Sequence, residues 1–82
     1  MTKILIIRLS SFGDIVLTTP VIRCLKNQFQ GGVEVHYLVK KKFFEVIKAN
    51  PYISKFHIVE NEISKFIPQL KNENFDYVID LH

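Results

Sequence analysis

Cysteine is almost missing: among 82 residues there is only Cys24, so no internal disulfide can form and a disulfide-stapled scaffold is excluded. Tryptophan is absent, and three glycines and three prolines are too few for a collagen-like or low-complexity chain. No apolar run approaches the roughly 20 residues that a bilayer-spanning helix needs. The start, Met1-Thr2-Lys3, leads straight into a short strand-like run without the apolar core of a secretory leader, which predicts no export. Charge of either sign is modest. The net +3 and pI near 9.1 favour anionic ligands or an anionic surface but fall short of a nucleic-acid footprint.

Standard ligand motifs are also lacking. There is no G-x-x-x-x-G-K-[ST], and the loop after the first strand has one glycine, Gly13, where a dinucleotide fingerprint needs three. That strand ends in Arg8, whereas a phosphoryl-receiver domain would place acids at its strand ends. His36, His57 and His82 are scattered along the chain, and with a single cysteine the spacing predicts no metal site.

What remains is an ordinary globular composition, 48% hydrophobic and 23% charged. It is arranged as alternating strand and helix patterns. Strands are expected at Lys3 to Arg8, Val33 to Val39, Lys55 to Glu60 and Asp76 to Leu81. Helices are expected at Asp14 to Phe29, Lys41 to Ala49 and Glu62 to Asn72. Gly31-Gly32 and Asn50-Pro51 provide the stops. Pro20 either follows the true start of the first helix or kinks its first turn, and Pro68 falls inside the third helical pattern. Such alternation implies a Rossmann-like α/β fold with a parallel sheet and right-handed crossovers. Strands one and four read as near-continuous apolar runs and are expected to be central, while two and three alternate and lie further out; the order 3-2-1-4 fits. Cys24, Phe43, Phe44, Phe56, Phe66 and Phe75 are expected in the core. In this order the fourth strand lacks a neighbour on one side, so the chain reads as part of a larger fold, or as one half of a dimer formed through that edge.

The segment Arg8-Leu9-Ser10-Ser11-Phe12-Gly13-Asp14 joins strand one to helix one at the switch point of that order, where open α/β sheets bind ligands. A Ser/Gly loop entering a helix suits an anion. An acid placed there is out of keeping with simple phosphate binding and suits proton transfer, although Asp14 would equally serve as a helix N-cap. Ser10 and Ser11 are turn formers or ligand contacts, and Gly13 would let a ligand approach without a Cβ. Lys40, Lys41 and Lys42 follow strand two on the same edge, as a solvated charge run or as contacts for an anionic acceptor. His82 lies at the end of strand four, as a ligand-edge residue or a frayed end.

Ile4 through Arg23, containing S-S-x-G-D and T-x-P, resembles the opening of glycosyltransferase family 9, the lipopolysaccharide heptosyltransferases. Asn50-Pro51-Tyr52-Ile53 and Phe75 through His82 follow the same family's pattern in order and spacing. The resemblance implies a two-domain GT-B enzyme transferring heptose from ADP-heptose to the lipopolysaccharide inner core, with inversion and without metal or other cofactor. Residues 1–82 would then be part of the N-terminal, acceptor-side domain, inactive alone. Asp14 would be the general base, and Ser10, Ser11, Gly13, Lys40, Lys41, Lys42 and His82 candidate substrate contacts. The resemblance further implies a cytoplasmic protein, in peripheral contact with the inner membrane and with no nucleic-acid partner. The competing expectation is a non-catalytic module binding a nucleotide or phospholigand.

Overall fold

The computed structural model describes residues 1–9, 11–29, 32–60 and 67–81. Strand β1 (Thr2–Ile7) leads into two helices, α1 (Phe12–Leu17) and α2 (Thr19–Gln28). Strand β2 (Val33–Lys40), a 3₁₀ helix (Lys41–Val46), β3 (Lys55–Val59), α3 (Ile67–Lys71) and β4 (Tyr77–Asp80) follow. All strand pairs are parallel, in the order β3-β2-β1-β4, as the alternation predicts. Gln30, Gly31 and the stretch 61–66, including Phe66, lie outside the described residues.

Period-two alternation assigns the two faces of the sheet. Ile4 and Ile6 of β1 and Val33, Val35, Tyr37 and Val39 of β2 point to one face, where Ile15, Ile22 and Ile47 pack on them with Leu25, Phe29, Phe43, Phe44 and Phe56 around the margin. Full burial of each such aliphatic side chain contributes roughly 1.5–3 kcal/mol, and this face holds most of the core. The other face is smaller: Leu5, Leu38 and Val59 sit beneath Ile7, Leu9, Leu70 and Phe75.

Four expectations need correction. The first helical pattern is not one helix from Asp14 to Phe29 but two helices meeting at Thr18. Pro20 cannot donate a backbone hydrogen bond into the preceding turn, so continuity fails there. The Thr18 hydroxyl lies 2.6 Å from the Ile15 carbonyl, to which it donates, and 2.9 Å from the Tyr37 hydroxyl. Proline thus begins α2 rather than distorting it.

Secondly, β2 is not half covered. It is the most buried strand, whereas β4 leaves Tyr77 59% and Val78 57% exposed. His36, a nominally solvent-facing position, is buried on the second face beside His57 and is bonded to Glu34. A paired polar group can occupy a covered face that alternation assigns to water. Thirdly, Cys24 is exposed on α2 rather than in the core.

The second helical pattern shortens to the 3₁₀ turns ending at Val46, because Pro51 disfavours helical backbone at Asn50 and the Asn50 side chain accepts from the Tyr52 amide at 2.8 Å. No helix among the described residues is long and apolar enough to cross a membrane.

The Thr18 junction gives a stability test. Thr18→Val keeps the shape but leaves the buried Tyr37 hydroxyl without its partner, and should cost about 1–3 kcal/mol. Adding Tyr37→Phe to Thr18→Val should cost little more. Chemical denaturation of the single and double variants measures both, and an unperturbed Thr18→Val midpoint would contradict this role.

Candidate functional site

Parallel pairing sets where the first crossover opens. At the carboxyl end of β1, the Arg8 amide donates to Leu38 O at 3.2 Å and the Leu81 amide donates to Ile7 O at 3.0 Å. The tips of β2 and β4 therefore flank the residue that begins the loop, as the switch-point geometry requires.

From that position the Arg8 guanidinium reaches two ways. Nη1 donates to the Leu81 carbonyl, and Nη2 lies 2.8 Å from Oδ2 of Asp14. Its Nε is buried and has no hydrogen-bond partner among the described residues. Ser11 is the N-cap of α1, and its hydroxyl donates to Asp14 Oδ2 at 2.8 Å rather than capping a backbone amide. Asp14 sits inside the first turn, so its N-cap role falls to Ser11. The Ser11 hydrogen bond, then the hydrogen bond and charge of Arg8, hold the Asp14 carboxyl below its ordinary value of 3.8. Neighbouring side chains thus set the ionisation of Asp14.

Gly13 also lies in α1, and a Cβ built on it would meet nothing within 4 Å. Among the described residues, packing around Gly13 does not demand glycine. Phe12 packs edge-on against Phe43 with ring centroids 4.6 Å apart, which draws the start of the 3₁₀ helix to the same rim. Lys40, Lys41 and Lys42 are exposed on that side. Lys41 pairs with Glu60 at 3.1 Å, and Lys42 Nζ lies 5.7 Å from the Phe43 ring centroid. Ser10 and His82 fall outside the described residues.

Arg8 is the site residue that sequence reasoning passed over. Its signal was available: a cation at the last position of a central strand, before an acid-bearing loop. A groove of about 690 Å³ lies along α2, lined by Pro20, Arg23, Asn27 and Tyr52 among others. It does not include Asp14, so the groove and the charged rim are separate features.

No family model matches the chain. Lipopolysaccharide heptosyltransferase 1 of Campylobacter coli is 34% identical over 85 residues, covering 96% of this chain and 25% of that protein. The crystal structure of the glycosyl transferase family 9 from Veillonella parvula DSM 2008 superposes with a TM-score of 0.86 at 27% identity, covering 99% of this chain and 26% of that one. The chain spans about a quarter of the length of these relatives.

The Arg8 contact predicts a titration shift. Because the folded carboxyl is held low, the pair stabilises the fold above the ordinary carboxylate range, and that contribution is lost as pH falls through the lowered value. In Arg8→Met, the Asp14 carboxyl should move up toward 3.8, as read by side-chain carboxyl NMR. An unchanged titration would show that Arg8 does not govern it.

Proposed function

We propose that this chain, a heptosyltransferase-like segment of glycosyltransferase family 9, is the acceptor-side part of an inverting transferase that moves heptose from ADP-heptose to the lipopolysaccharide inner core. The observation that carries this is the Asp14 carboxylate, ionised and half exposed at the mouth of the first crossover beside the tip of β4. A sugar hydroxyl arriving there meets a proton acceptor on a supported element. Its oxygen forms the new bond to the anomeric carbon as the bond to the diphosphate oxygen breaks. The electron pair leaves with the nucleoside diphosphate, and the hydroxyl proton passes to Asp14.

In its resting contacts Asp14 is a weak base, since Arg8 and Ser11 both stabilise its charge. General-base catalysis is strongest when the base titrates near working pH. Closure of a donor-binding half over the rim would exclude water and favour the protonated acid, provided that Arg8 loosens its hold as the acceptor enters. Ser10, Ser11 and the open side of Gly13 would line the acceptor path. Lys40, Lys41, Lys42 and His82 would border it, the lysines meeting phosphate on the acceptor or an anionic membrane surface. The base works without a metal or other cofactor, in a cytoplasmic protein in peripheral contact with the inner membrane. Residues 1–82, without the donor half, would be inactive, and the exposed edge of β4 would be covered by the rest of that fold or by a second copy.

The test is transfer in the full protein. Incubation with ADP-heptose and a heptose-acceptor core should give heptosylated product and ADP, while Asp14→Asn should lower kcat by about 10²- to 10⁴-fold with donor affinity kept. An Asp14→Asn protein that folds and turns over normally would remove the assigned base. Nucleotide binding by residues 1–82 with no transfer from the full protein would favour a non-catalytic phospholigand module.

A further inference from the structure

The second face of the sheet carries a cluster that sugar transfer leaves unused. His36 of β2 and His57 of β3 are buried on neighbouring strands, and His36 Nδ1 lies 2.9 Å from His57 Nε2. Oε2 of Glu73, in the turn after α3, lies 3.7 Å from the first nitrogen and 3.8 Å from the second. A point equidistant from these three atoms lies about 2 Å from each, the length of a zinc–nitrogen or zinc–oxygen bond.

The surroundings favour the same use. Glu34 Oε2 lies 2.6 Å from His36 Nε2, so a proton held on Nε2 leaves the Nδ1 lone pair facing His57, which is how carboxylates orient metal-bound imidazoles. Phe75 closes the apolar side, its ring centroid 5.0 Å from that of His36 and 6.3 Å from that of His57. Burial disfavours the protonated form of His57, and neutral imidazole is the ligand form. Glu73 is held down to about 2, chiefly by its bonds to Lys55 and Lys3, so its carboxylate is ionised.

We propose that His36, His57 and Glu73 form a binding site for one divalent transition-metal ion of the zinc class, which clamps β2, β3 and the turn before β4. Two imidazoles and one carboxylate at this spacing suit zinc, or cobalt in its place, rather than magnesium or calcium. With the proton of His36 on Nε2, His57 Nε2 is the donor in the hydrogen bond that joins the rings; on metal binding that proton moves to His57 Nδ1, the rings turn so that both facing nitrogens offer lone pairs to a common point, and water completes the coordination. Two cations oppose the ion. Lys3 contacts Oε1 of Glu73 at 3.0 Å and keeps that contact, whereas Lys55, 58% exposed, holds the ligating Oε2 at 2.9 Å and must swing away. The site lies mid-strand on the second face of the sheet, whereas Ile15, next to Asp14 in α1, packs on the first, so its effect is on stability and not on transfer.

Isothermal titration of the chain with Zn²⁺ should show saturable binding of one ion with a rise in Tm. Removing the competing ammonium in Lys55→Met should tighten binding by about tenfold. Removing the orienting carboxylate in Glu34→Gln should weaken it by about 10- to 100-fold, and Glu73→Gln or His57→Gln should abolish it. If a histidine variant fails to fold, Co²⁺ added to the unaltered chain decides, because a tetrahedral nitrogen and oxygen site produces intense visible d–d bands. Absence of saturable Zn²⁺ binding, absence of those bands, or binding indifferent to Glu73→Gln would each overturn the site.

Discussion

Everything at the rim depends on β1 lying between two parallel neighbours. Its backbone is hydrogen-bonded to β2 on one side and to β4 on the other, so Arg8 emerges at a fixed point between the tips of those strands. From there one guanidinium ties the β4 tip to Asp14. The first turn of α1 acquires a fixed acid in this way. An acid on an untethered surface loop would sample many positions, and effective catalysis requires a reacting group held close to productive geometry.

The same contact that fixes Asp14 also suppresses its basicity. A charge-assisted bond to Arg8 and a hydrogen bond from Ser11 stabilise the ionised form, which orders the side chain but leaves little tendency to take a proton. The two demands are reconciled if the resting arrangement stores the base in position and substrate entry redistributes the guanidinium. Arg8 has the means for this, because Nη1 already holds a backbone carbonyl that does not titrate.

Much of this was legible in the sequence. The order of the strands followed from alternating periodicities and from the apolar run Ile4-Leu5-Ile6-Ile7, and the placement of Asp14 followed from that order, since a switch point is a topological property. Contacts that depend on tertiary partners were not legible. Thr18 reads as one more position on a helical stripe, and only the buried Tyr37 hydroxyl reveals why the helix divides there. His36 and His57 lie 21 residues apart and look scattered. Parallel register sets them on one face, and the turn after α3 adds Glu73, a contact that periodicity cannot give. Arg8 was read only as evidence against another fold because its value lies in what its far end touches.

Two polar clusters thus belong to one small sheet, one at the rim beside the carboxyl end of β1 and the other mid-strand on the second face. The rim cluster is the one proposed for sugar transfer, and the second-face cluster the one proposed to clamp strands whose aliphatic cover is thin. The central claim concerns the rim, and a crystal structure of the full protein with acceptor and an unreactive donor analogue addresses it most directly. The accepting hydroxyl should lie about 2.6–3.2 Å from an Asp14 carboxylate oxygen, with Arg8 displaced from that oxygen. A hydroxyl bound elsewhere while Asp14 remains closed on Arg8 would contradict the account.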